Sequence, residues 1–98
     1  MQNKTQNILQ LAAQTAHRIT SGTDQWTDFL DTASRLYKYS FQDQLLIYAQ
    51  RPDATACATY DVWNTRMNRW VRKGSAGIAL ISETDQGLRL KYVFDVAD

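Results

Sequence analysis

The sequence predicts an α+β fold: about four N-terminal helices followed by a small antiparallel β-hairpin or sheet. Three observations carry this reading. Through the first two thirds of the chain, apolar residues recur at helical spacing. After Trp70 the pattern changes: Ile78-Ala-Leu-Ile81 is almost wholly apolar, as in a buried strand, and Leu88, Leu90, Tyr92 and Phe94 alternate with Arg89, Lys91 and Val93, as in a half-buried one. Between these runs Thr84-Asp-Gln-Gly87 is a turn signal, so the two strands are expected to pair as a hairpin. A chain of 98 residues has room for a single domain, spanning 1–98.

Each element has its own justification. Over residues 5–20, Ile8, Leu11, Ala12 and Ile19 form an apolar stripe, and Ser21-Gly22 ends the run. Thr23 or Asp24 is expected to cap a second helix whose broad apolar face is Trp26, Phe29, Leu30, Ala33, Leu36 and Tyr37, read as core. Ser40 is expected to cap a third helix, with Asp43 completing an arrangement close to a capping box. Phe41, Leu45, Tyr48 and Ala49 share one side of it, and Leu46 and Ile47 widen that side. Arg51-Pro52-Asp53 stops the helix, because the residue before a proline avoids helical geometry. After the small residues Ala54 to Ala58, Thr59 is expected to cap a short fourth helix running to Asn68. A two-stranded sheet is marginal alone, so the hairpin must pack on the helices or belong to a larger sheet.

Composition excludes several classes. The hydrophobic share of 44% and charged share of 21% are those of a globular chain rather than a disordered one. The single cysteine, Cys57, allows no intrachain disulfide and suits a reducing compartment. No apolar stretch approaches a membrane span, and the opening MQNKTQ lacks an apolar signal region. A cytoplasmic location is expected, with no membrane partner.

No catalytic or metal site is expected, and no cofactor. His17 is the only histidine, and one histidine with one cysteine cannot supply the usual zinc ligand sets. Cys57 lies among alanines, with neither a base nor an orienting group nominated beside it. The glycines of Arg72-Lys-Gly-Ser-Ala-Gly77 fit neither a Walker nor a dinucleotide-binding arrangement.

The charge is more informative in its distribution than in its sum. The net formal charge of +1 divides into 0 over residues 1–50, +3 over 51–73 and −2 over 74–98. In the basic middle, Tyr60 to Gly77 reads YDVWNTRMNRWVRKGSAG: Arg66, Arg69, Arg72 and Lys73 with no acid among them, interleaved with Tyr60, Trp63 and Trp70. Single-stranded nucleic acid calls for this pairing, cations to follow phosphates and aromatic faces on which bases stack. Glycines beside the basic pair let a backbone N–H approach a phosphate closely. The same residues also suit a duller purpose. Trp63 and Met67, at i and i+4, make a core stripe, tryptophan is highly buried on average, and basic side chains at a helix end favour its dipole. The two tryptophans are therefore open between core and ligand.

The stretch Thr59-Tyr-Asp-Val-Trp63, followed by Arg69-Trp-Val-Arg-Lys-Gly-Ser-Ala-Gly-Ile78, resembles the hallmark of ArdC-like antirestriction N-terminal domains, in which an aromatic helix leads into a glycine turn and an apolar strand. Upstream, Tyr39-Ser-Phe-Gln-Asp-Gln-Leu-Leu-Ile-Tyr-Ala-Gln-Arg-Pro-Asp-Ala54 is similar to the matching segment in proteins of Gram-positive conjugative elements. The resemblance covers roughly residues 25–96 and implies a single-stranded-DNA-binding module of a mobile-element antirestriction or DNA-processing protein, a fragment of a longer bacterial polypeptide. ArdC-like proteins often add a zinc metallopeptidase domain, but its HExxH signature is absent from this sequence and that activity does not carry over. Where many relatives have Glu-Lys inside the glycine turn this chain has Ser75-Ala76, one cation fewer.

The expected roles follow. Arg66, Arg69, Arg72 and Lys73 contact phosphates; Trp70, Tyr60 and Tyr39 stack bases; Gly74 and Gly77 shape the turn. Single-stranded DNA is the expected partner, together with other domains of the parent polypeptide. The alternative is a protein–protein docking module of a large conjugation-associated polypeptide, in which exposed aromatics form the interface.

Overall fold

The computed structural model describes residues 4–68, 70–72 and 76–96. Its elements are the helices α1 (Lys4–Ile19), α2 (Thr23–Arg35) and α3 (Phe41–Gln50), strand β1 (Cys57–Ala58), a short π-helical turn (Val62–Arg66), and strands β2 (Ile78–Thr84) and β3 (Gly87–Asp95). The strands form an antiparallel sheet in the order β1-β3-β2. The architecture is α+β, with helices and sheet largely segregated along the chain.

Local chemistry explains most boundaries. Ser40 caps α3, its hydroxyl accepting the Asp43 N–H at 3.2 Å. Helix α3 closes at Arg51, whose N–H reaches the Ile47 carbonyl at 2.7 Å before Pro52. Helix α2 starts one residue earlier than a Thr23 or Asp24 cap requires: the cap position is Gly22, with no side-chain hydrogen bond. In the hairpin, Gly87 takes φ +103°, the left-handed geometry that a short loop demands after Asp85 and Gln86. There Thr84 Oγ1 accepts from the Gln86 N–H at 3.3 Å and donates to the Gly87 carbonyl at 2.7 Å.

The main core joins Ala12 of α1, Leu36, Leu46 and Ile47 of α3, Ala54, and the sheet residues Ile78, Leu80 and Val93. Pairing of Ile78 with Val93 and Leu80 with Lys91 puts these three sheet residues on one face. A smaller cluster of Ile19, Phe29 and Leu45 lies between the helices, and Phe29 meets the rings of Phe41 and Tyr48 edge-on at 5.8 and 5.5 Å.

The structure departs from the sequence reading in four further places. The α2 face is only partly core: Phe29 and Leu36 are buried, but Trp26, Leu30 and Tyr37 are exposed, as is Phe41. So few elements flank α2 that a narrow stripe suffices, and Thr32 occupies part of it, its hydroxyl bonded to the Pro52 carbonyl at 2.7 Å. In β3 the alternating apolar run lies on the sheet's other face, with Leu88 and Tyr92 exposed, while Val93 and Asp95 are buried. Asp95 is tolerated there because it accepts the N–H groups of Thr55 and Ala56 at 2.8 and 3.1 Å. Those bonds organise an unexpected strand from small residues, so that Cys57 and Ala58 pair with Asp95 and Phe94. The fourth helix shrinks to one wide turn, closed by the Met67 N–H on the Val62 carbonyl at 3.1 Å, and it follows β1 instead of directly following α3. Among the described residues no helix is long and apolar enough to cross a membrane.

Candidate nucleic-acid interface

The segment after β1 divides into an inward and an outward part. Thr59 starts the turn, its hydroxyl accepting the Val62 N–H at 3.4 Å and its carbonyl the Trp63 N–H at 3.1 Å. This aims Trp63 inward: it is 6% exposed, and its indole N–H donates to the Phe94 carbonyl at 2.8 Å. Trp63 therefore fastens the turn to β3. Tyr60, 44% exposed, Arg66, and Met67, 56% exposed, all reach solvent. Asn68 then takes φ +52°, a left-handed geometry that asparagine accepts more readily than most residues, and the helical turn ends.

Beyond it, Trp70 is 73% exposed and Arg72 is exposed. Among the described residues neither Arg66 nor Arg72 forms an ion pair; the pairs present are Arg35–Asp31 at 3.2 Å and Arg51–Asp53 at 3.6 Å. A ring and cations thus meet solvent without local neutralisation, the arrangement a stacked base and its phosphates require. Arg69, Lys73 and Gly74 lie outside the described residues. Gly77 has a packing reason for its missing side chain, since a Cβ there would stand 3.0 Å from Cδ1 of Tyr92 and 3.4 Å from Cζ of Phe94.

Tyr39 sits apart from the exposed group. Its ring packs against the main core, and its hydroxyl donates to the Cys57 carbonyl at 2.8 Å. Burial, aided by the neighbouring Cys57 and Asp43, pushes its pKa up to about 12. The bond goes to the outward edge of β1, so the hydroxyl closes that edge. Burial also raises the pKa of Asp43, opposed by Lys91 and by the bond from Ser40.

A groove of about 410 Å³ opens beside the turn, between Tyr37-Lys38-Tyr39 after α2, the residues Ala56 to Ala58, and Val62, Trp63 and Met67. Arg35 lies at its edge, its guanidinium held by the Ala54 carbonyl at 3.0 Å and by Asp31. The sequence reading places Tyr37 in the core face of α2 and gives Lys38 no role. The available signal was the aromatic–cation–aromatic triplet Tyr37-Lys38-Tyr39, a short version of the alternation that marks residues 60–73. Among the described residues no group of three or more His, Cys, Asp or Glu side chains is placed to hold a metal ion. No protein-family description, no curated protein and no solved structure matches the chain.

Proposed function

We propose that this chain is a single-stranded-DNA-binding module of the ArdC-like kind, belonging to a mobile-element antirestriction or DNA-processing protein and working in the bacterial cytoplasm without catalysis of its own. The observation that carries the reading is the exposed indole of Trp70, flanked in the sequence by the exposed Arg66 and Arg72, neither of which forms an ion pair among the described residues. A base stacked on an aromatic ring contributes about 1–3 kcal/mol, and each phosphate neutralised adds a salt-dependent increment from released counterions. Arg69 and Lys73 belong to the same run in sequence and extend the cationic track.

Fluorescence anisotropy with a labelled oligo-dT tests the proposal. Wild type should bind with an affinity that falls steeply as salt rises. Arg72→Ala/Lys73→Ala should bind more weakly, its log–log salt slope shallower by about 1.4 for two lost single-strand phosphate contacts. Trp70→Ala should lose about 5- to 150-fold in affinity. Unchanged affinity and slope in both variants would remove these residues from the role.

A second reading is favoured by a different patch. Trp26, Leu30 and Phe41 are exposed around the buried Phe29, an apolar surface suited to a neighbouring protein domain. A module of that kind would bind its partner with little dependence on salt and would ignore oligo-dT.

A further inference from the structure

The groove beside the π-helical turn has a chemistry of its own. Its walls are largely apolar or aromatic, supplied by Leu36, Tyr37, Val62, Trp63 and Met67, and the charged side chains that line it, Arg35 and Lys38, are both cations. At about 410 Å³ it falls within the size range of small-ligand sites. Tyr37 is 76% exposed, Lys38 is exposed, and Lys38 makes no ion pair among the described residues. Arg35, by contrast, is committed to Asp31 and the Ala54 carbonyl, which leaves Lys38 as the cation available to an incoming anion.

Two further facts select the occupant. An extended peptide adding to the edge of β1 would need the outward carbonyl of Cys57, and the Tyr39 hydroxyl already holds it at 2.8 Å. The groove also adjoins, along the chain, the residues assigned to DNA: its wall residue Met67 directly follows the exposed Arg66 and precedes the left-handed Asn68. A flat apolar ring attached to a phosphate matches an apolar slot with a lysine on its rim.

We propose that this groove is a base pocket. It receives one unstacked nucleobase of the bound single strand against Tyr37 and Met67, with Lys38 at the adjoining phosphate. The inference rests on the single-strand reading above, so its test separates the two.

Two measurements on the 98-residue chain serve. Anisotropy compares wild type with Tyr37→Ala and Lys38→Ala on oligo-dT and on an abasic oligomer of equal length. The rate at which a thiol reagent labels Cys57, which lines the groove, is then measured with and without each oligomer. Tyr37→Ala should weaken oligo-dT binding about 5- to 150-fold, the worth of one stacked base, and leave abasic binding unchanged. Lys38→Ala should weaken binding to both and make the salt slope shallower by about 0.7. Oligo-dT should slow the labelling of Cys57 more than the abasic strand does.

If wild type binds oligo-dT and Arg72→Ala weakens it, while Tyr37→Ala and Cys57 labelling show no effect, the pocket is overturned and the Trp70 surface stands. If wild type binds no oligo-dT, both fall. Protection of Cys57 by an apolar peptide and not by oligo-dT overturns the pocket in favour of a peptide groove.

Discussion

Two neighbouring regions, residues 39–58 and 60–72, spend their side chains in opposite ways. In the first, polar groups turn inward and hold the fold. Tyr39 bonds the Cys57 carbonyl, and Gln44 bonds the Leu36 carbonyl at 3.1 Å. Gln50 clasps Ala79 at both its N–H and its carbonyl, each at 2.9 Å. In the second region the Trp63 indole does comparable work, while Tyr60, Arg66, Trp70 and Arg72 face solvent. Aromatic and cationic residues in a motif are thus poor guides until their bonding partners are known. A ring whose polar handle is already bonded inside belongs to the scaffold, and one left in water is available to a ligand.

The largest effect that sharpens this contrast concerns the two tryptophans. Trp63→Ala should destabilise the fold by about 3–5 kcal/mol, read as a lowered urea midpoint, whereas Trp70→Ala should move it by less than about 0.5 kcal/mol. Equal shifts would erase the distinction between anchor and platform. Next comes Gln50→Ala, which leaves both backbone groups of Ala79 without their side-chain partner. A loss of about 1–3 kcal/mol is expected, with faster hydrogen exchange at the Ala79 amide; an exchange rate equal to wild type would show that the clasp is dispensable.

Tyr39→Phe should cost about 1 kcal/mol through the lost bond to Cys57 while leaving oligo-dT affinity unchanged, which assigns the hydroxyl to the scaffold. Its pH signature is distinctive. The folded pKa of about 12 lies above the ordinary value of 10.0, so the folded protein holds this proton more tightly than the unfolded chain. The associated stability is complete below about pH 10 and is lost as the pH rises towards 12. The slope that Tyr39 contributes across that window should disappear in Tyr39→Phe. Smallest is Arg66→Ala, whose midpoint should stay within about 0.5 kcal/mol of wild type, since an exposed arginine without an ion pair has little to lose. A larger drop would move Arg66 into the scaffold group.

Much of the fold was legible in the sequence because periodicity and caps are local. The stripe of α1, the Ser40 cap and the Thr84-Asp-Gln-Gly87 turn all report themselves within a few residues. What was not legible depends on partners far along the chain. Strand β1 exists because Asp95 accepts hydrogen bonds from Thr55 and Ala56, some forty residues away. The inward face of β3 is set by its register with β2, not by its own alternation, which points to the other side. The two tryptophans illustrate the same limit. Both sit near arginines in the sequence, and it is the burial of Trp63, with its bond to Phe94, that separates them.

The paired hold on the sheet has a consequence for assembly. Tyr39 just before α3 and Gln50 at its end each occupy an outward-pointing position on opposite margins of the sheet, β1 and β2. The segment from Tyr39 to Gln50 therefore brackets the sheet as a clamp brackets a stack of boards, and a foreign strand could join at those positions only by first breaking a bond within the domain. Wherever this unit stands beside others, it is built to meet them through side chains and loops, as a bead on a string keeps its own outline, instead of merging backbone to backbone.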